Sequence, residues 1–394
     1  MRTPRQILAE VGTQPIKIVI APQSFKGSLN AQEVAQAIAT GIKRILANAE
    51  TIMIPLADGG EGTVKALVYG TNGQILATEV TGPLGEKVTA KWGILGDKVS
   101  AVVEMAAASG ITLVPPEKLN PLVATTYGTG ELIRAALDAG CRRLIIGIGG
   151  SATNDGGAGM AQALGAKLLD EGGKQLPWGG AALAKLRRID ITGLDRRLSE
   201  CEIIAACDVT NPLCGKQGAS RVYGPQKGAT KEMCQQLDEA LTNYAEIVKR
   251  DLGLDVMDMP GAGAAGGLGA GLVSFLKASM MPGIEIVSEV VGLTNYLKEA
   301  SLVFTGEGRI DSQTLFGKTV AGVSTKAKAL HIPVVAIAGE VAGDYKELYQ
   351  HGIDVTLSIA PGPISLKQSM ANAEQLITDA AERALRLILI RLGN

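Results

Sequence analysis

Three stretches of the chain combine small residues with cationic and acidic side chains where a predicted strand ends. The first carries Gln23, Ser24 and Lys26, the second spans residues 58–63, and the third spans residues 305–311. In an open parallel sheet, ligands bind beyond the carboxyl ends of the strands. Turn chemistry alone explains one such loop. Three of them in one chain indicate a binding site for a charged ligand.

A fourth stretch, residues 147–157, is rich in glycine and also lies between a predicted strand and a predicted helix. Successive small residues let backbone N–H groups converge on a phosphate, and a helix start adds a favourable partial charge. The stretch matches neither G-x-G-x-x-G nor the P-loop pattern, so a tight turn is the alternative. Residues 125–131 have the same chemistry and the same alternative. The densest glycine run, 261–271, is interpreted either as a phosphate loop or as close backbone packing.

The acidic residues and the scarcity of histidine narrow the chemistry. Asp208 follows a predicted strand, where it binds a metal, polarises a hydroxyl or forms an Asx turn. The chain has only two histidines, which argues against serine–histidine–acid hydrolysis, histidine-bound zinc and cysteine–histidine catalysis. Phosphoryl transfer instead needs anion-binding loops, carboxylates for Mg²⁺, and an acid that orients a hydroxyl. These residues therefore indicate a small-molecule kinase.

The predicted secondary structure supplies two α/β domains to position these loops, as a length of 394 residues suggests. Five strand–loop–helix units predict one doubly wound parallel sheet, with strands at 16–20, 51–54, 301–304, 334–337 and 354–357. Between them a hairpin over 79–94 and further strands at 99–105, 144–148 and 202–206 predict a mixed α/β domain. The expected domains are 15–73 with 289–394, and an insertion over 74–288. Residues 1–14 are expected to be a disordered extension, and 366–392 one long helix. A split into two sequential halves is the alternative.

Composition excludes several classes of partner. Lysine and arginine number 38 against 39 acids, so no strong field attracts nucleic acid or an anionic membrane surface. The sequence shows no convincing membrane-spanning segment. Five cysteines without a C-x-x-C pair predict reduced thiols and a cytoplasmic location. The expected partners are therefore small molecules.

Six motifs resemble those of the bacterial type-1 glycerate kinases, in the same order and over nearly the whole chain. They are residues 18–26, 57–63, 149–157, 206–212, 224–229 and 305–311. The resemblance implies a flavodoxin-like domain interrupted by a second α/β domain. It also implies ATP-dependent phosphorylation of D-glycerate, generally to 2-phosphoglycerate, with the active site in the cleft between the domains. Gln23 departs from the family pattern, which usually has aspartate at this position.

Residue chemistry then suggests a role for each candidate. Asp155 or Asp208 is expected to orient the glycerate hydroxyl, while Lys26 and Arg309 bind the carboxylate or the transferred phosphoryl group. The expected Mg²⁺ ligands are Asp58, Glu61, Glu307 and Asp311. The expected substrate- or phosphate-binding residues are Ser24, Gly59, Gly60, Gly149, Gly150, Ser151, Asn154, Gly156, Thr305 and Gly306.

Several alternatives stay open at this point. The same anion-binding loops suit a non-catalytic regulator that binds nucleotides or sugar phosphates, or a phosphatase or mutase. A kinase that forms 3-phosphoglycerate is a further alternative. The residues also leave the choice between a monomer and a homodimer open.

Overall fold

A computed structural model describes residues 16–315 and 319–390, so the predicted extension 1–14 lies outside the described residues. Contacts divide the chain into two compact units. The first domain contains the residues up to Asp58 and those from Ile284 onward, and the second domain is Gly59–Gly283.

The strands of the described residues are β1 (Lys17–Ile20), β2 (Glu50–Met53), β3 (Gln74–Thr81), β4 (Lys87–Ile94), β5 (Ser100–Glu104), β6 (Arg143–Gly147), β7 (Lys167–Leu169), β8 (Arg188–Asp190), β9 (Glu202–Ala206), β10 (Ser279–Met281), β11 (Leu302–Ile310), β12 (Val334–Val341) and β13 (Val355–Ser358). The α-helices of the same residues are α1 (Ala31–Ile45), α2 (Thr63–Thr71), α3 (Ala106–Ser109), α4 (Tyr127–Asp138), α5 (Ala158–Ala163), α6 (Ala219–Tyr223), α7 (Lys231–Leu252), α8 (Ala264–Leu276), α9 (Gly283–Val290), α10 (Leu293–Lys298), α11 (Thr319–Ala329), α12 (Leu366–Ala371) and α13 (Ala373–Ile390). Short 3-10 helices cover Ile111–Leu113, Pro116–Lys118, Gly180–Lys185, Arg196–Glu200, Pro225–Lys227, Ser312–Leu315 and Tyr345–His351.

The first domain contains a five-stranded sheet in the order β13-β12-β11-β1-β2, in which every pair is parallel. This order is that of the flavodoxin-like fold and confirms the predicted architecture. Ile18 and Ile20 on β1 are fully buried against α1 and α13, since alternate residues of a strand share one face. The N-terminus of α1 has a capping box, in which the side chains of Asn30 and Glu33 each accept a bond from the other's backbone N–H.

Two elements of the first domain differ from the sequence prediction. Strands β11 and β12 stay paired as far as Ile310 and Val341, so most of the 305–311 motif lies in a strand rather than in a loop. The long final helix is divided into α12 and α13. Asn372 occupies the break, and its side-chain Nδ2 donates to the Gln368 carbonyl at 2.9 Å. Asparagine competes in this way with the regular backbone bonds of a helix.

The second domain contains a six-stranded mixed sheet in the order β10-β9-β6-β5-β4-β3. The predicted hairpin is confirmed as the antiparallel pair β3–β4, while β5, β6, β9 and β10 are parallel. Helix α2 belongs to this domain because it packs on β4, where a Cβ at Gly93 would lie 2.3 Å from Val68 Cγ2. The division therefore falls after Asp58 and after Gly283, rather than at 73 and 288.

Within the described residues, every helix is too short or too polar to cross a lipid bilayer.

Candidate functional site

The topology of the first sheet creates a crevice between β1 and β11. From β1 the chain continues to β2 on one side, whereas β11 is followed by β12 and β13 on the other. Such a switch point opens a crevice at the carboxyl ends of the strands. A pocket of about 650 Å³ lies there, wholly within the first domain. Its charged and polar lining includes Gln23, Ser24, Lys26, Ser28, Asp58, Glu307, Arg309, Glu340 and Ser369. Its apolar lining includes Phe25, Ile359, Ala360, Ile364, Leu366, Met370 and Ala373.

Gln23 connects two of the loops that the sequence singled out. Its backbone N–H donates to the Gly306 carbonyl at 2.8 Å, which ties the segment after β1 to β11. Its side-chain Nε2 donates to Asp58 Oδ2, also at 2.8 Å. Gln23 is only 7% exposed, so this contact is largely shielded from water. The pocket therefore contains Asp58 held by a neutral amide.

Glu307 and Arg309 lie on β11 and point into the same pocket. Glu307 is nearly buried, and its Oε1 accepts a 2.8 Å hydrogen bond from Thr314 Oγ1. Arg309 is 59% exposed and is held by Asp311 Oδ2 at 3.1 Å and Glu340 Oε2 at 3.4 Å. Opposed carboxylates thus fix the guanidinium while leaving much of it accessible. An accessible, positioned guanidinium is well suited to a bidentate anion.

Thr305 and Gly306, which the sequence placed in the site, lie inside the sheet and outside the described pocket lining. Thr305 is fully buried, and its Oγ1 donates to the Ala21 carbonyl at 2.8 Å. A Cβ at Gly306 would lie 2.3 Å from the Ile337 carbonyl oxygen. These two residues therefore join β11 to its neighbours, and they precede Glu307 and Arg309 on the same strand.

The four predicted Mg²⁺ ligands do not form one cluster. Within the described residues, no group of three or more histidine, cysteine or carboxylate side chains could hold a metal. Asp58 and Glu307 line the same pocket, Asp311 pairs with Arg309, and Glu61 is exposed in the second domain. Mg²⁺ in kinases commonly uses only one or two carboxylates together with phosphate oxygens. Asp58 and Glu307 fit that smaller requirement.

The second domain has its own arrangement at the ends of its parallel strands. The pairing register aligns Glu104, Gly147 and Ala206 at the last positions of β5, β6 and β9. Two glycine loops are in contact here. A Cβ atom added at Gly147 would lie 2.4 Å from the Gly59 carbonyl oxygen, and one added at Gly149 would lie 3.2 Å from Gly60 Cα. The small residues of both motifs therefore allow the two backbones to meet.

Glu104 lies at this edge and was not among the residues predicted from the sequence. Its carboxylate accepts a 2.7 Å bond from the Val64 N–H and a further bond from the Gly62 N–H, at the start of α2. Burial raises the pKa of Glu104 despite these hydrogen bonds. The rule that acids after parallel strands mark functional edges would have selected it.

Asp155 belongs to the glycine-rich loop and is fully buried. Its carboxylate accepts bonds from Thr126 N at 2.8 Å, Thr126 Oγ1 at 2.9 Å, Gly157 N at 3.2 Å and Gly159 N at 3.3 Å. Burial raises the pKa of Asp155, while the hydrogen bonds act in the opposite direction. The side chain thus anchors the start of α5 and has no exposed surface for a substrate.

The remainder of the loop is equally enclosed. Gly149 and Gly150 are exposed, but Ser151, Asn154 and Gly156 are buried. Asn154 Nδ2 donates to Ser220 Oγ at 2.9 Å. Of the glycines in the predicted phosphate loop, Gly149 and Gly150 are thus the ones exposed to a ligand.

Lys227 contacts the glycine-rich loop from the protein interior, and the sequence did not suggest a role for it. It is 1% exposed, and its Nζ donates to the Thr153 carbonyl at 2.6 Å. Burial lowers the pKa of Lys227 to about 7, although the charge of Asp155 opposes that change. A buried lysine and a buried aspartate therefore stabilise the same loop.

The glycine run at 261–271 packs against the backbone of that loop. Gly266 has φ +69°, and a Cβ there would lie 2.0 Å from the Thr153 carbonyl oxygen; at Gly271 it would lie 2.5 Å from the Gly156 oxygen. Gly156 N–H also donates to the Gly266 carbonyl at 3.0 Å. Close backbone packing, one of the two interpretations of the run, accounts for these glycines.

Asp208 differs from Asp155 because it is exposed. It follows β9, and its Oδ1 accepts a 2.8 Å bond from the Gly283 N–H. This contact orients the side chain without enclosing it. Asp208 can therefore contact a ligand.

A flavodoxin-like sheet with a charged pocket at its switch point, joined to a second α/β domain, is typical of proteins that bind small anionic ligands. The family model described as the glycerate kinase family matches residues 18–389. The chain is 52% identical to the glycerate 2-kinase of Escherichia coli K12, over 96% of this chain and all of that protein. It is 53% identical to the glycerate kinase of Bacillus subtilis 168, over 93% of this chain and 96% of that protein.

A solved structure gives the same result. A crystal structure described as a glycerate kinase 2 from Salmonella typhimurium LT2 has a TM-score of 0.87 and 52% identity, over 96% of this chain and 99% of that one. The chain therefore belongs to the glycerate kinase family. This confirms the family that the six motifs predicted.

Proposed function

We propose that the protein transfers the γ-phosphoryl group of ATP to the 2-hydroxyl of D-glycerate, forming 2-phospho-D-glycerate and ADP. The names of the relatives support the reaction, and that of the Escherichia coli enzyme supports the 2-phosphate product. The observation that carries the proposal is the pocket of the first domain, where Lys26 and Arg309 lie with Asp58 and Glu307. Phosphoryl transfer depends mainly on positioning and on neutralising phosphate charge.

The two cations bind the anionic groups of the reactants. Lys26 supplies a compact point charge, and Arg309 supplies a planar fork that fits a carboxylate or phosphoryl group. Because Asp311 and Glu340 hold the guanidinium, it is oriented before ligands bind. Such preorganisation is worth more in the transition state than a mobile charge.

Asp58 and Glu307 would hold Mg²⁺, which neutralises phosphate charge when bound. Both line the pocket, and both are hard oxygen donors of the kind that Mg²⁺ prefers. Gln23 donates to Asp58 Oδ2 and thereby fixes the direction of that carboxylate without adding a second negative charge.

The two aspartates considered for the hydroxyl group receive different roles. Asp208 is exposed, so of the two aspartates it is the one that can orient a substrate hydroxyl and accept its proton. Asp155 is enclosed by backbone N–H groups, so it is a positioning residue for the glycine-rich loop. The accessible Gly149 and Gly150 contribute backbone N–H groups to an anion.

A coupled assay for ADP release tests the reaction, with D-glycerate, L-glycerate or no acceptor. ADP formed only with D-glycerate supports the proposal, whereas ADP formed without an acceptor indicates hydrolysis. ATP binding without turnover would identify a non-catalytic regulator. Phosphorus NMR of the product distinguishes 2-phosphoglycerate from 3-phosphoglycerate.

The Lys26→Met variant connects the reaction to the pocket. Its kcat/KM is expected to fall on the order of a hundredfold, because the variant lacks a positive charge that stabilises the transferred phosphoryl group. Lys43→Met removes an exposed lysine of α1 in the same domain and is the matched control. Equal activity of both variants would contradict the assignment of the site to this pocket. The cytoplasmic location and the homodimer considered from the sequence stay predictions.

A further inference from the structure

One side of the pocket in the first domain is apolar, and the proposed reaction at its charged side does not use it. This apolar wall consists of Ile359, Ala360, Ile364 and Leu366. Leu366 is 76% exposed and Ile364 is 38% exposed. Large apolar side chains grouped at a pocket are typical of a surface that a ligand covers. Glycerate and phosphate are too polar to cover it favourably.

The apolar wall and the charged groups line one pocket. Ile359 and Ala360 directly follow β13, whereas Ser24 and Lys26 follow β1. A ligand that covers both the wall and the cations needs an apolar part and an anionic part. A nucleoside triphosphate has both, and a three-carbon acid does not.

Local structure holds the apolar wall in place. Ser365 caps α12 with Gln368 in a reciprocal capping box, which fixes Leu366 as the first residue of the helix. The Ile359 N–H donates to the Ala338 carbonyl at 2.9 Å. Ser28 Oγ donates to the Met370 carbonyl at 3.1 Å, which ties α12 to the segment after β1. A wall fixed in this way loses little freedom when a ligand binds.

We propose that the apolar wall is the subsite for the purine ring of the nucleotide, with the triphosphate extending along the strand ends toward Lys26 and Arg309. This inference rests on the proposed function only for the identity of the nucleotide. The ring packs against Ile364 and Leu366 through apolar contact, and the phosphates meet the charged groups of the same pocket. The pocket volume of about 650 Å³ lies within the range of roughly 300–1,000 Å³ that holds ligands of nucleotide size.

The test measures binding directly, so it does not require turnover. Calorimetric titrations with ATP and with inorganic tripolyphosphate are made on the wild type, on Leu366→Ser and on Ile364→Ser. Leu387→Ser is the matched control, because Leu387 is 62% exposed on α13 and lies outside the pocket lining. Serine removes apolar contact without adding a charge that would repel phosphate.

The expected result is a Kd for ATP that rises roughly tenfold in Leu366→Ser and Ile364→Ser, the change produced by losing about 1.4 kcal/mol of apolar contact. The Kd for tripolyphosphate, which has no base, stays unchanged in all variants. The KM for D-glycerate also stays unchanged.

Three outcomes would overturn the inference. They are an unchanged Kd for ATP in both wall variants, an equal loss of tripolyphosphate binding, or a KM that rises for D-glycerate alone. If the wild type binds ATP as described but forms no ADP with D-glycerate, the proposed function fails while the subsite stands.

Discussion

Gln23 and Asp58 are joined by a 2.8 Å hydrogen bond in which the Gln23 amide Nε2 donates to Asp58 Oδ2. The resemblance of the six motifs to the glycerate kinases implies aspartate where this chain has Gln23. A second carboxylate at that position would oppose the charge of Asp58, whereas the amide supplies a neutral donor. At this position the chain therefore has a neutral donor that orients one oxygen of Asp58.

The Gln23→Glu substitution tests this relationship because it changes the charge at nearly constant shape. Two adjacent carboxylates raise the pKa of one of them in the folded state. The folded protein then binds protons more tightly than the unfolded chain, so stability is retained at acidic pH and is lost as the pH rises. Relative to the wild type, we expect the variant to be about 1–2 kcal/mol less stable at pH 8 than at pH 5, by urea unfolding.

The matched control is Gln375→Glu. Gln375 Nε2 donates to Asp379 Oδ1 at 2.7 Å on exposed α13, so the contact resembles that of Gln23 but lies in water. Solvent screens such pairs, and we expect a change below about 0.5 kcal/mol. Equal changes in both variants would show that shielding of the Gln23–Asp58 contact has no effect.

The two aspartates are separated by comparing Asp208→Asn with Asp155→Asn. Asp208 is exposed, so its variant is expected to lose kcat by roughly 10²–10⁴-fold with little change in the free energy of unfolding. Asp155 accepts bonds from three backbone N–H groups. An amide nitrogen facing these donors is expected to cost about 2–4 kcal/mol of stability. Urea unfolding and the coupled assay on both variants measure the difference. A stable but inactive Asp155→Asn variant would contradict the positioning role and indicate that Asp155 is catalytic.

Lys227→Met tests the buried lysine through its dependence on pH. Burial lowers the pKa of Lys227 to about 7 in the folded protein, from 10.5 in the unfolded chain. Between these values the unfolded state binds more protons, so the wild type gains stability as the pH rises. The variant lacks that gain, and we expect the wild type to improve by about 2 kcal/mol relative to it between pH 7 and pH 9.

For Lys227→Met, the lost hydrogen bond to Thr153 adds a term that is the same at both pH values, so it cancels in the comparison. Lys216→Met, which removes an exposed lysine of the same domain, is the control and should track the wild type. A difference between the wild type and Lys227→Met that does not change with pH would contradict the burial of the charge.

Gly266→Ala tests the packing of the glycine run on the loop at 153–157. Gly266 has φ +69°, and a Cβ there would meet the Thr153 oxygen at 2.0 Å. Gly253 has a similar φ of +73°, but a Cβ there would meet nothing within 4 Å. We expect Gly253→Ala to cost about 1 kcal/mol from backbone strain alone, and Gly266→Ala to cost about 3 kcal/mol or more. Equal losses of unfolding free energy in the two variants, measured with urea, would show that the loop at 153–157 rearranges without loss of stability.

Local patterns in the sequence were sufficient to predict most strands of the two sheets and the α/β fold class. Strand and helix periodicity, together with the Asn30–Glu33 capping box, depends on neighbours within a few residues. The five-stranded parallel sheet and the β3–β4 hairpin could therefore be predicted. The charged residues after β1 and β2 could also be placed at one edge, because parallel strands share the direction of their carboxyl ends.

Tertiary structure alone decided which of the candidate residues can reach a ligand. The burial of Asp155 depends on Thr126 and that of Lys227 on Thr153, and each pair is far apart in sequence. The continued pairing of β11 with β12 placed Thr305 inside the sheet, although its motif looked like a loop. Exposure and packing arise from contacts between distant segments, so a chemically suitable residue becomes either an anchor or a ligand-binding group only when the chain folds.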